Sequence, residues 1–559
     1  MDYAQKVGLA IDACQKIDNA SLSVLSADTD KVKSYVYSST KLPEMRGASI
    51  ILDELNQEEV KRIIKGYGLP GDCILFNKGG SLLALVPTSL EYEVKSEIEK
   101  LYLQRTHGVA SITVVTEAIA PELNLLRKEF RNITNRLVNK LKLAKEQKRT
   151  FPVYEVIAFA RRCRSCGIRP ANVKLGEGEE AEYLCKSCDN KRSRGEYKQG
   201  DASSGKSRFF TRFLESLTEG QKEQMLTLCR EHDPQVSSIS HMSCAKDLSE
   251  ISDEDGYIGV IYADGNEIGA KIEDLDSPES FIEFSEKLYE ITESSLYSAL
   301  SDYIRPDVTD DRCILPFEII CVGGDDVFLI LPANIALQIA NRLCEGFEKQ
   351  AQTCNVNQLK DATLSVGVVI AKDNFPVYYI YDLVDQLLKS AKQKAKSDPK
   401  EIKTAIDFMV LKSQGGEVSD IGRYRHRILT AEKGTGRAGR KLEKLEFTLR
   451  PYFREDFDKL LWFVKKLNDI GFPKSKLYAM RESLEKGREN SVLQYLYMMS
   501  RAPDNEKRLL REDFRHAFLT DGICLAPWGK VDVRQKDGYK CTEYRTPIAD
   551  IVEIVDFVS

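Results

Sequence analysis

FEIICVGGDDVFLILPA, residues 317–333, is the stretch that decides the fold. Two apolar runs, Phe317 to Val322 and Val327 to Leu331, flank Gly323-Gly324-Asp325-Asp326. That pattern predicts a β-hairpin whose glycines supply φ > 0 at a tight turn. Two adjacent carboxylates at a turn repel each other unless a cation lies there. Magnesium or manganese takes oxygen ligands from one or two carboxylates together with phosphates. Outward from the hairpin, Tyr257 to Ala263 predicts a strand ending at Asp264. Asp264, Asp325 and Asp326 are therefore the candidate catalytic and metal-binding residues, three carboxylates from two strands for two Mg2+ or Mn2+ ions. Two such ions activate a sugar hydroxyl and stabilise leaving pyrophosphate. A solvated Asp-rich turn competes with this reading, and Asp264 at the neighbouring strand end weighs against it.

Around this site the order of elements is strand, helix, hairpin, helix, strand. Ser277-Pro278-Glu279 opens a helix that runs to about Tyr303 with a capping serine and a proline in its first turn. A helix over about 334–350 and a strand from Ala362 to Ile370 complete the set. The same order occurs earlier: a strand at 21–27, a helix from about Met45 to Tyr67, apolar runs Cys73–Phe76 and Ser81–Val86 about Lys78-Gly79-Gly80, a helix over 89–106, and a strand from Ala110 to Val115. A repeat of about 240 residues predicts two copies of one supersecondary unit. The expected fold class is α+β: two ferredoxin-like palm domains with a zinc ribbon insert and a helical C-terminal domain. The expected divisions are a degenerate first palm over 1–130, a helical linker and zinc ribbon over 131–200, a linker over 201–250, the catalytic palm over 251–415, and a helical domain over 416–559. In that last domain Phe457, Leu460, Leu461, Val464 and Leu467 recur at helical spacing between Pro451 and Pro473.

The first copy departs from the metal-binding pattern. Its turn, Asn77-Lys78-Gly79-Gly80-Ser81, has no carboxylate pair, and Asp28 and Asp30 lack hairpin partners. Gly79, Gly80 and Arg46 are candidates to approach a phosphate, and a purely structural first copy is equally open. Cys163-Arg-Ser-Cys166 and Cys185-Lys-Ser-Cys188 form two knuckles, the spacing of a closed, structural Zn2+ site with four thiolates. Other cysteines, among them Cys14, Cys73 and Cys229, are scattered through regular segments and read as reduced, buried thiols.

With 559 residues the chain needs several cores. A net charge of -5 gives no broad electrostatic footprint for nucleic acid. There is no secretory signal pattern, and no apolar run near the roughly 20 residues that span a bilayer, so a cytoplasmic protein with no membrane partner is expected. Lys392 and Lys396 lie four apart on one helical face; a solvated basic face and a phosphate contact are both open. The basic segment Arg423 to Lys441 reads either as a phosphate-contacting surface or as a solvated loop.

YIGVIYADGNEIG (257–269) followed by the hairpin resembles the large polymerase-cyclase subunit of type III CRISPR effector complexes, in a form without an HD nuclease domain or as a free-standing relative. KLPEMRGASIILDELN (41–56) and ILFNKGGSLLALVP (74–87) resemble that family's first palm. LEFTLRPYFREDFDKLLWFVKKL (445–467) and PKSKLYAMRESLEKG (473–487) resemble its C-terminal domain. The resemblance implies that the palm at Gly323-Gly324-Asp325-Asp326 converts ATP to cyclic oligoadenylate in antiviral defence, triggered by target RNA. It implies nucleotide-binding roles for Gly323, Gly324 and Lys392, and for Gly79 and Gly80 on a first palm that faces the active one. Guide RNA, target RNA and small effector subunits are the implied partners. His232-Asp233 stands without the other ligands of an HD site, so DNA cleavage is not expected. The alternatives are a free-standing cyclase using other nucleoside triphosphates and a non-catalytic scaffold that binds RNA or partners.

Overall fold

The computed structural model describes residues 2–19, 21–148, 159–178, 181–198, 204–231, 238–309, 312–398, 400–412, 418–433, 442–519, 526–536 and 539–558. The fold is mixed α+β, and the two copies expected from the sequence have matching sheets. In the first, strands β1 (Leu22–Asp30), β2 (Ile74–Lys78), β3 (Ser81–Pro87) and β4 (Ser111–Ile119) stand in the order β2-β3-β1-β4, all antiparallel. In the second, β5 (Tyr257–Gly265), β6 (Glu318–Val322), β7 (Val327–Pro332) and β8 (Leu364–Lys372) stand in the order β6-β7-β5-β8, again antiparallel. The second sheet continues through β9 (Ala405–Val410), parallel to β8, and the short strand Tyr452–Phe453.

The helices follow the same logic. The first copy carries α1 (Tyr3–Gln15), α2 (Leu42–Glu54) and, after its fourth strand, α3 (Leu123–Gln147). Helix α4 (Lys186–Gly195) precedes the second copy, which carries α5 (Pro278–Tyr303), α6 (Ala333–Thr353) and, after its fourth strand, α7 (Val377–Ala395). Ser277 caps α5, its hydroxyl accepting from the Ser280 N–H, with Pro278 in the first turn. Strand alternation sends the two faces of the second sheet to different cores. Ile261, Ala263, Leu329 and Leu331 pack with Leu296, Leu300, Leu337 and Leu343 of α5 and α6. Ile258, Val260, Phe328 and Ile330 share one core with Met45, Ile51 and Leu75 of the first copy. The copies are thus joined by buried apolar surface, which places their hairpin tips side by side.

Two expectations are corrected. Beyond residue 415 the chain is not helical throughout. Helix Arg454–Asp469 buries Phe457, Leu460, Leu461, Val464 and Leu467 as its spacing predicts, yet Thr430–Lys433, Leu442–Glu446, Tyr539–Arg545 and Gly529–Lys536 form a four-stranded sheet. Those strands are rich in charge, so their apolar period is too weak to mark them. Cys229 is not a free thiol: it is joined to Cys313, on a strand 84 residues away. Spacing along the chain does not reveal a pairing made by tertiary structure. His232-Asp233 and residues 434–441 lie outside the described residues. Of the rest of the basic segment, Arg425 is tied to buried Asp407 at 2.6 and 2.8 Å. Among the described residues no helix is long and apolar enough to cross a membrane.

Candidate active site

The hairpin β6–β7 closes through the Gly323 N–H, which donates to the Asp326 carbonyl at 2.8 Å. Neither Gly323 nor Gly324 has a positive φ, contrary to the expectation from the turn. The demand for glycine is steric. A Cβ on Gly323 would fall 1.7 Å from Asp326 Oδ1, and one on Gly265 would fall 2.8 Å from the Asp325 Cβ. The backbone is stripped of side chains where the carboxylates crowd together.

Asp264 stands at the end of β5, beside β7, and all three carboxylates line one cavity. Burial and the charges of Asp264 and Asp326 push the Asp325 carboxyl up to about 8. Burial and Asp264 push Asp326 up to about 6. The ammonium of Lys392, on α7, pairs with Asp264, and Lys396 one turn on pairs with Glu267. Lys392, and Lys33 acting on Asp326, do not offset the mutual repulsion of three carboxylates that the fold holds together, so Asp325 and Asp326 are both raised. That donor set, all oxygen and electrostatically strained, fits hard divalent cations. The structure therefore brings together Asp264, Gly323, Gly324, Asp325, Asp326 and Lys392.

The cavity has a volume of about 580 Å³. Asp264, Gly324, Asp325 and Asp326 form one wall; Asp28, Gly79, Ser81, Lys142 and Lys145 of the first copy form the other. Gly79 and Gly80 have φ of 62° and 85°, so here the turn does require left-handed residues. A Cβ on Gly79 would lie 3.1 Å from the Gly323 Cα, which makes the two turns direct neighbours.

The ladders show how the copies correspond. Lys78 opposes Ser81 at the first turn as Gly323 opposes Asp326 at the second. Gly80 and Ser81 thus occupy the places of Asp325 and Asp326, and Asp28, opposite Ser81, that of Asp264. Asp28 is paired with Lys145 of α3, as Asp264 is with Lys392 of α7. Asp30 takes Lys148 at 2.7 Å and Thr113 at 2.7 Å. Sequence reading missed Lys142 and Lys145; the repeat itself, carried through to the helix after the fourth strand, was the available signal. Arg46 is not available to a phosphate. Its guanidinium is fully buried, donating to Glu318 at 2.7 Å, the Gly195 carbonyl at 3.0 Å and the Ala245 carbonyl at 2.6 Å.

Away from this cleft, the Sγ atoms of Cys163, Cys166, Cys185 and Cys188 lie within 4.8 Å of one another. Tetrahedral zinc with Zn–S bonds of about 2.3 Å sets its sulfurs roughly 3.8 Å apart, so the four thiols fit that ion. Cys185 and Cys188 sit at the start of α4, where the Cys188 N–H points at the Cys185 sulfur.

Residues 257–399 match the family described as Cas10/Cmr2, second palm domain. A curated relative, CRISPR system Cmr subunit Cmr2 of Pyrococcus furiosus, is 28% identical over 176 residues, 29% of this chain and 19% of the relative. Among solved structures, the Csm1-Csm4 cassette in complex with pppApApA aligns with a TM-score of 0.51 at 17% identity, over 88% of this chain and 66% of that one. Csm1 of T. onnurineus aligns with a TM-score of 0.50 at 16% identity, over 86% and 64%. The Csm1-Csm4 cassette in complex with cA3 aligns with a TM-score of 0.50 at 15% identity, over 86% and 64%. The chain spans less than two-thirds of the length of these solved chains and about a fifth of the curated relative. The family match bears out the resemblance drawn from the sequence, and the solved structures show the same fold.

Proposed function

We propose that this chain, whose second palm is of the Cas10/Cmr2 kind, is a metal-dependent nucleotidyltransferase that makes cyclic oligoadenylate from ATP. The observation that carries this reading is the convergence of Asp264, Asp325 and Asp326 on a cleft whose far wall is a second, carboxylate-poor copy of the same unit. Asp264, Asp325 and Asp326 hold two Mg2+ or Mn2+ ions, which supply charge neutralisation at the attacking hydroxyl and the leaving pyrophosphate. The Gly323 and Gly324 backbone leaves room for phosphates to approach, and Lys392 exchanges its Asp264 partner for a phosphate oxygen. The first copy acts as a degenerate palm that holds the other nucleotide against Gly79 and Gly80. Cys163, Cys166, Cys185 and Cys188 hold Zn2+ as a structural ribbon between the palms. Relatives crystallised with pppApApA and cA3 support adenosine as the base, and their Csm4 partner supports work beside a second subunit; the type III CRISPR setting with guide and target RNA is what the sequence resemblance implies.

The test is product analysis. The protein, with ATP and Mn2+ or Mg2+, should yield cyclic oligoadenylate by mass spectrometry, alone or once target RNA and partner subunits are supplied. Asp325→Ala with Asp326→Ala should abolish the product and leave the melting transition in place. Undiminished turnover by that folded double variant would refute the assignment. Absence of any product from wild type in every setting would favour a scaffold.

A further inference from the structure

The hairpin that carries Asp325 and Asp326 begins on an edge strand. β6 pairs with β7 on one side only, and its register is broken between Ile319 and Cys321. An edge strand with an irregular ladder is weakly positioned by its own sheet. Its outer side is held instead by α2. The Ser49 hydroxyl donates to the Ile320 carbonyl, and Arg46 donates through Nε to Glu318 at 2.7 Å.

An adjoining face of α2 lies against α4, backbone to backbone at Gly47 and Gly195. A Cβ on Gly47 would fall 1.8 Å from the Lys191 carbonyl oxygen, and one on Gly195 would fall 2.0 Å from the Pro43 carbonyl oxygen. Such backbone contact transmits displacement with little slack. Helix α4 is the one that starts with Cys185 and Cys188. Arg192 and Glu44 add an ion pair at 2.7 Å across the same junction. Arg46 spans the whole assembly: its Nη1 donates to Gly195 at the end of α4, its Nη2 to Ala245 and to Glu318.

We infer that the four-cysteine module is a brace for the active turn, acting through α4, Arg46 and Ser49 to hold β6 and hence Gly323 to Asp326 in place. Arg46 and Ser49 are positioning residues: neither lines the cleft shared by Asp264, Asp325 and Asp326, and Ser49 borders only the neighbouring cavity, behind the turn, that Asp326 also reaches. A lysine at 46 has a charge but no planar fork, so it cannot serve Gly195, Ala245 and Glu318 together. Misplacing a metal-binding turn by a fraction of an ångström costs rate without weakening nucleotide binding to the far wall.

The inference rests on the proposed activity for its kinetic readout, and hydrogen exchange tests it independently. In the full-length protein, Arg46→Lys and Ser49→Ala are compared with wild type, and wild type is also stripped of metal from the cysteine site by chelation. Exchange over residues 318–326 should speed up in all three, with exchange over β1 and β4 unchanged. With ATP, kcat should fall on the order of tenfold in Arg46→Lys, and less in Ser49→Ala, at constant KM. Ser49→Ala deletes one hydroxyl and keeps the readout available if Arg46→Lys does not fold. Unchanged exchange at 318–326 after chelation and in the folded variants would overturn the brace. Faster exchange in a wild-type protein that makes no product would leave the brace standing and remove the activity.

Discussion

At the scale of the residue, the site is built from repulsion. Asp325 is held up at about 8 by burial and by Asp264 and Asp326, and Asp326 at about 6 by burial and Asp264. An unfolded aspartate titrates near ~3.9. Between these values the folded, cation-free protein binds more protons than the unfolded chain, so its stability falls as pH rises. Melting temperature without divalent ions should therefore drop between about pH 4 and pH 8 and level off above. Mn2+ should raise it more at pH 8 than at pH 6, because at the lower pH the ion must displace protons. Asp325→Asn should flatten both trends; an unaltered pH slope in that variant would place the strain elsewhere. The carboxylates also divide the copies. Asp264→Ala should lower turnover by several orders of magnitude, the scale of lost metal charge, while Asp28→Ala, whose partner is Lys145, should cost far less. Equal losses at saturating ATP and Mn2+ would mean that the first copy is also a chemical centre.

At the scale of the element, what could be read in advance depended on whether a segment advertises itself by period or by contact. The hairpin and Asp264 were legible because apolar runs, a glycine pair and acidic residues coincide there. The reason for Gly323 was not: it has ordinary φ, and the glycine is required by the Asp326 carboxylate packed against it. Lys145 was legible only through the repeat, since a lysine on the solvent side of an amphipathic helix has no signature of its own until the helix is placed over Asp28. The charged C-terminal strands were missed for want of an apolar period, and Arg46 was misplaced because its buried partner, Glu318, is 272 residues away. The cysteine knuckles were legible from spacing alone. Their role is tested by elemental analysis: about one zinc per chain is expected. Cys163→Ser should lose that zinc and lower the melting temperature, since metal affinity in such a module is folding free energy. A zinc-free wild type with an unchanged melt would contradict the ribbon.

At the scale of the whole molecule, two copies of one unit face each other across a cleft, and they differ in what their turns carry. Each keeps an aspartate near the end of its first strand and a lysine on the helix after its fourth, Asp28 with Lys145 and Asp264 with Lys392. The second alone has carboxylates at its turn. The proposed reaction needs one nucleotide that is attacked and one that attacks, and on that proposal the asymmetry would supply a charged wall for the first and a binding wall for the second. Lys145 lines the cleft together with Lys142, opposite Asp325, where a bound triphosphate would draw it from Asp28. Lys145→Gln should therefore raise the ATP concentration for half-maximal rate by about tenfold and leave the rate at saturation within a few-fold of wild type, the pattern of lost ground-state binding. Lys392→Gln should raise the half-saturating ATP concentration and also lower the saturated rate, because its partner Asp264 belongs to the wall that carries the metal-binding carboxylates. Steady-state kinetics over a wide ATP range distinguish the two. If Lys145→Gln lowers the saturated rate as severely as Asp264→Ala, the first copy takes part in the chemistry. If it changes neither quantity, the second nucleotide lies elsewhere and the facing copy serves the architecture alone.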